Sequence, residues 1–332
     1  MIRFNVGSLT TDNGQLTTHI PHICQHTMRP ITLTEPGTLL PESELILNPD
    51  GSVYHLALKP DQIGDLIFVV GDPGRVARIS SRFEKIEHQS QNREFIAHTG
   101  TLRGVRMTAL ATGIGTDNLD IVMGELDALV NIDLEKRTPK AQQRSLTIVR
   151  MGTCGALQED IPVDHFIVSQ SGLGLDNVLH YYAHENTDHE IRLLQAILDH
   201  TDWPSNLPLP YIAFGDPHFV NKLGNGNHIG VTATSGGFYG PQGRQLRAIP
   251  SVDGLNDLFT SFRYPGEAEG LEMRITNYEM ETSALYGLSG LLGHRAVTIC
   301  AVVANRLRKE YSKDHHAAIE KMIDQVLERL VG

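Results

Sequence analysis

From Asp65 onward the apolar residues of this chain alternate between two rhythms. Short continuous apolar runs predict strands at Leu66–Val70, Met107–Ala111, Leu146–Arg150, His165–Ser169, Ile229–Ala233 and Ala296–Val303, because a strand covered on both faces is apolar at successive positions. Between these runs, apolar residues spaced three and four apart predict helices near Asp117–Val130, Asp188–His200, Glu281–Leu292 and Ala317–Leu330. Strands alternating with helices predict an α/β fold with a largely buried sheet, built as a single domain over residues 43–332. Two stretches break the rhythm. Residues 1–42 mix Thr, Pro, His and Gly with neither period and predict a poorly ordered N-terminal extension. Thr201–Asn227 is rich in Pro, Gly and Asn, which predicts a long surface excursion rather than a linker between two folded halves.

A chain of 332 residues can enclose a site within a substantial core. Its 40% hydrophobic and 20% charged residues are those of an ordinary globular protein, which excludes a disordered or membrane-spanning class without naming a function. The formal charge of −11, with no long Lys/Arg run, argues against a nucleic-acid surface, which works by neutralising phosphates with clustered cations. Any anion handled here is therefore bound locally. Cys24, Cys154 and Cys300 are far apart and form no CxxC pair, so neither a disulfide framework nor a zinc site is expected. A cytoplasmic setting follows. Neither a signal-type N-terminus nor an apolar run of the ~20 residues that span a bilayer points to the membrane.

Three Gly-rich segments sit at expected strand ends. Gly71-Asp72-Pro73-Gly74-Arg75 leads into a helix, where backbone N–H groups and a guanidinium fork suit an anion. Thr112-Gly113-Ile114-Gly115-Thr116 precedes another helix, and Arg150-Met151-Gly152-Thr153-Cys154-Gly155 ends a third strand. Ligand crevices in open α/β sheets lie beyond the carboxyl ends of strands, so these loops are candidates for one shared anion site. Each also fits plain turn chemistry, as Gly215-Asp216-Pro217-His218, which lacks an arginine, illustrates. Asn277-Tyr278-Glu279-Met280-Glu281 places two carboxylates at a helix start, where they suit either the vicinal hydroxyls of a sugar or helix capping. Phe238-Tyr239-Gly240-Pro241-Gln242-Gly243-Arg244 combines an aromatic face, an amide that donates and accepts, and a guanidinium that only donates. That set matches the edge of uracil, with its two carbonyls and one N–H; a solvated polar loop is the other reading.

Taken together and in order, GDPxR, TGIG, RxGTxG, FYxxQxR and EME resemble the nucleoside phosphorylase superfamily of the hexameric purine phosphorylase and uridine phosphorylase type. The resemblance covers about residues 43–331 and implies a three-layer phosphorylase-type fold with a central mixed twisted sheet flanked by helices. It implies phosphate binding by Gly71, Arg75, Arg150 and Thr153, with Arg93 given by a neighbouring subunit. It implies ribose contacts from Met280 and Glu281, with Glu279 nearby, and from His55 across a dimer. Gln242 and Arg244 would hold uracil between Phe238 and Val303 and, with Glu281, serve the reaction; Arg306 resembles a lid residue. The activity implied is phosphorolysis of uridine, with inorganic phosphate as co-substrate, no cofactor, and self-association into dimers or a hexamer. Some members bind a monovalent cation through a Glu and a Ser. Glu94 matches the first and Asn118 replaces the second, so potassium carries over at one of its two ligand positions. Rival readings are a purine nucleoside phosphorylase, a hydrolytic nucleosidase and a non-catalytic nucleoside-binding protein. Asn305 speaks against the first, because it stands where the purine enzymes carry a proton-donating acid. Arg75, Arg93 and Arg150 speak against the second, because water needs no anion clamp.

Overall fold

Strand β1 (Leu66–Val70) shows how the sheet is held. Ile67 and Val69 face one apolar cluster while Phe68 and Val70 face another, and all four are buried. The first cluster joins helices α2 (Thr116–Asn131) and α6 (Thr282–Leu292); the second joins α1 (Gly74–Ser80), α4 (Pro217–Gly224) and α7 (His315–Val331). Helices therefore cover both faces of one sheet. Each such buried Val, Ile or Phe contributes about 1.5–3 kcal/mol, which explains the uninterrupted apolar runs. The computed structural model describes residues 29–30, 32–266 and 272–332.

The remaining sheet strands are β2 (Lys85–Asn92), β3 (Phe95–Leu102), β4 (Val105–Ala111), β5 (Thr147–Ala156), β6 (Phe166–Gly174), β7 (Tyr211–Phe214), β8 (His228–Thr234), β9 (Ile275–Glu279), β10 (Arg295–Asn305) and β11 (Glu310–Tyr311). Their order is β11-β10-β6-β8-β9-β5-β1-β4-β3-β2, with β7 paired to β6. Because β10 also pairs with β5, strands β10, β6, β8, β9 and β5 close into a barrel, and the sheet mixes parallel and antiparallel neighbours. Helices α3 (Asp188–Thr201) and α5 (Leu255–Ser261) complete the described helices.

The structure corrects several expectations. Thr201–Asn227 is no surface excursion: it contains β7 and α4, and Tyr211, Ile212, Ala213, Val220 and Leu223 are buried. Its Pro and Gly residues punctuate two short elements. Asp216 of the second Gly-Asp-Pro motif caps α4 by accepting the Phe219 N–H at 3.2 Å. The segment Arg150–Gly155 does not follow a strand but lies inside β5. Strands β2, β3 and β9 lack apolar runs and were not expected; β2 is a polar edge strand, and β9 carries Thr276, Asn277 and Glu279 buried. Of the extension expected over 1–42, residues 1–28 and 31 lie outside the described residues, as does Cys24. Gly37 and Leu40 donate main-chain hydrogen bonds to Pro139 and Arg137 at 3.0 and 2.8 Å.

Candidate active site

Strand β5 delivers Arg150 to the carboxyl ends of its neighbours. The side chain folds back along its own strand over Gly152, where a Cβ would lie only 2.2 Å from the guanidinium. A side chain there would displace the guanidinium and crowd Cys300 Sγ at 2.9 Å, so glycine leaves room for the fold-back. Arg150 ion-pairs with Glu279 at 3.1 Å and binds Glu281, and it donates to the Cys300 thiol at 3.2 Å. Burial opposes its charge, yet Glu281 and Glu279 outweigh that and hold the guanidinium protonated well above its ordinary range.

The two carboxylates do different work locally. Glu279 ends β9 and accepts the N–H groups of Glu281 at 2.9 Å and Thr282 at 3.0 Å, so it caps the start of α6. Glu281, the N-cap residue of α6, accepts the Gly115 N–H at 2.7 Å, which ties the TGIG turn to the site. Burial raises the Glu281 pKa, and the neighbouring Glu279 charge adds to the rise while Arg150 opposes it. One cation here serves two carboxylates.

Arg75, on α1, is buried and donates to the Met151 carbonyl at 2.9 Å; burial lowers its pKa, partly offset by Asp72. Asp72 takes the Gly74 N–H at 2.9 Å, so that donor of the expected anion cradle is used internally.

On the other wall, Gln242 lies in a short helical turn, Gly240–Gln242, and is 2% exposed despite its polar loop. Its side-chain carbonyl accepts from Arg244 and, at 3.2 Å, from Arg306. With the oxygen so engaged, only the side-chain N–H groups remain to donate to a ligand among the described residues. Arg244 also donates to the Phe238 carbonyl at 2.6 Å and stacks 3.9 Å over the Phe238 ring. Burial, reinforced by the Arg306 charge, lowers the Arg244 pKa to about 10.

These walls enclose one cavity of about 450 Å³ lined by Gly71, Arg75, Arg150, Thr153, Phe238, Gln242, Arg244, Glu279, Met280, Glu281 and Val303. It thus brings together ten strand-end and loop residues expected from sequence with Phe238 of the aromatic loop. Asp72, Ile114, Cys154 and Tyr278 also line it, from candidate segments in which they had no assigned role, and Ala304 and Tyr311 were missed. Tyr278 had a signal, its place within the Asn277–Glu281 segment; Tyr311 had none. His55 and Arg93 are not in this wall. His55 binds Glu125 at 2.7 Å, and Arg93 sits exposed at the β2–β3 turn with φ 53°. Glu94 and Asn118 both approach Gly113, where a Cβ would lie 3.2 Å from Glu94 Cγ and 2.4 Å from Asn118 Nδ2. Asn305 is buried outside the wall, its amide donating to the carbonyls of Gln158 and Ile161 at 2.8 and 2.7 Å. A larger hollow of about 820 Å³ shares Tyr278 but has no arginine, lysine or histidine in its described wall, so it offers no cationic side chain to an anion.

The chain resembles known proteins over most of its length. It is 30% identical to a uridine phosphorylase of Thermococcus kodakarensis across 80% of this chain and 81% of that protein. It is 27% identical to a uridine phosphorylase of Haemophilus influenzae across 78% and 88%. A solved Trypanosoma brucei nucleoside phosphorylase, described as showing uridine phosphorylase activity, superposes with a TM-score of 0.76 at 31% identity, covering 86% of this chain and 99% of that one. Residues 65–331 match the phosphorylase superfamily, and the chain belongs to that family.

Proposed function

We infer that this chain is a uridine phosphorylase, a pentosyltransferase that converts uridine and phosphate reversibly into uracil and ribose 1-phosphate. One observation carries the reading: two arginines, Arg75 and Arg150, share a single cavity with the Gln242–Arg244 pair and with Glu281. Phosphate, ribose and a pyrimidine edge each have matching groups within it.

Phosphate is held by Arg75, Arg150, Thr153 and the Gly71 turn. Its oxygen attacks C1′ as the C1′–N1 bond breaks, and the electron pair leaves with uracil. Arg244 and Gln242 hold the electron-rich base; positioning and electrostatics supply the rate. Arg244 acts as a cation, since even a pKa of about 10 leaves it protonated near neutrality. Met280 and Glu281 contact ribose, and Phe238 and Val303 wall the base. Purine cleavage is disfavoured because Asn305 is an amide whose donors are consumed by main-chain carbonyls, so it cannot protonate a purine nitrogen.

His55 and Arg93 complete the site from a neighbouring subunit, so the working unit is a dimer at least. The reaction needs phosphate and no cofactor, and its setting is the cytoplasm; among the described residues no helix is long and apolar enough to cross a membrane. Ultraviolet absorbance decides the matter: uracil release from uridine that requires phosphate, with little hypoxanthine from inosine, is expected. Equal release without phosphate would mean a hydrolase, and preferred cleavage of inosine would mean a purine enzyme.

A further inference from the structure

Thr234 ends β8 directly beside Glu279 on β9 and is fully buried. Its hydroxyl accepts the main-chain N–H of Ser283 at 2.9 Å and lies 2.7 Å from Glu279 Oε1. An amide N–H can only donate, so the Thr234 proton is directed to Glu279. Glu279 then accepts Thr234 Oγ1–H on one oxygen, the Glu281 N–H on the other and the Thr282 N–H on both, and it ion-pairs with Arg150 Nη1 at 3.1 Å. Those four hydrogen-bond contacts, two to each oxygen, match the roughly four lone-pair sites of a carboxylate. Glu281, which also lines the cavity, accepts the Gly115 N–H and Arg150 Nη2 among the described residues, about two fewer than a carboxylate's lone-pair sites.

We propose that Thr234 is a positioning residue for ribose recognition: it fixes Glu279, which fixes the Glu281 main chain and Arg150, so that Glu281 is the carboxylate that accepts the sugar hydroxyls. The inference rests on the nucleoside reading above. The rest of the network supports this. Ser283 Oγ donates to the half-buried Asp176 at 2.8 Å, and Asp176 also accepts from Tyr211 at 2.9 Å, so the first turn of α6 is tied from two sides. Gly172 makes room for that turn; a Cβ there would lie 2.6 Å from Ser283 Cα.

The test compares Thr234→Val with Thr234→Ser. Valine keeps the shape and removes the hydroxyl, so KM for uridine rises on the order of tenfold with a smaller change in kcat, and the preference for uridine over 2′-deoxyuridine narrows. Serine restores both. A valine variant whose melting temperature falls while KM and the uridine preference stay at wild-type values overturns the proposal, as does a serine variant that restores neither. Thr234→Ala serves the same comparison if valine does not fold. A crystal structure of the variant separates this inference from the functional reading: Glu279 unmoved relative to Arg150 and the Glu281 N–H overturns it, whatever nucleoside is cleaved. Absence of uracil release by the unsubstituted protein overturns the functional reading instead.

Discussion

Arg150 on β5 and Glu281 at the start of α6 lie 131 positions apart in the chain and form a buried ion pair, with Glu279 sharing the same guanidinium. In the proposed site this couples the phosphate and ribose positions through one cation. The consequences can be measured residue by residue.

Glu281→Gln replaces a charged acceptor with an amide. A hydrogen bond to a charged group is worth about 1.5–3 kcal/mol, so kcat/KM for uridine should fall on the order of 10- to 100-fold. Steady-state kinetics test this, and unchanged kinetics would remove Glu281 from ribose binding.

Gln242→Ala and Arg244→Ala should act on the base and spare the phosphate. Losing a donor aimed at developing charge costs about 10²–10³ in kcat, so Arg244→Ala is expected in that range, with KM for phosphate near wild type. A loss confined to thermal stability would place both residues outside the reaction.

The acid limb of activity should reflect Glu281. Its folded-state pKa is raised, chiefly by burial, so it takes up a proton above the usual carboxylate range and ribose binding weakens as pH falls through that window. Stability moves the other way for this group: its contribution is greatest below the unfolded pKa and is lost as pH rises through the folded one. A kcat/KM profile that stays flat down to the ordinary carboxylate pKa would contradict this.

Arg93→Ala tests whether the site is shared. Arg93 is outside the cavity wall of its own chain, so a rise in KM for phosphate requires delivery by a neighbour. Mixing Arg93→Ala subunits with Arg75→Ala subunits should recover activity, since one site of each hybrid dimer is then intact. No recovery, with hybrids shown to form, would argue that Arg93 acts within its own chain or not at all.

What the sequence determined by itself follows from local physics. Runs such as Leu66–Val70 had to be covered on both faces, and β1 has the bounds expected for it. Arg150-x-Gly-Thr and Gln242-x-Arg carry their chemistry in spacing short enough to read along the chain. Tertiary structure decided the rest. Strand β9 was illegible because closing the barrel buries Thr276, Asn277 and Glu279 against polar partners, such as Thr232 on Asn277 at 3.0 Å. Thr201–Asn227 looked like surface because turn residues dominate it, yet β7 gains its burial from pairing with β6 across some 40 positions of chain. Which carboxylate stays open for a ligand depended on donors from Thr234, Gly115 and Arg150, brought from β8, the TGIG turn and β5. Local sequence could name two acids beside a helix, but only the closed barrel counts their lone pairs.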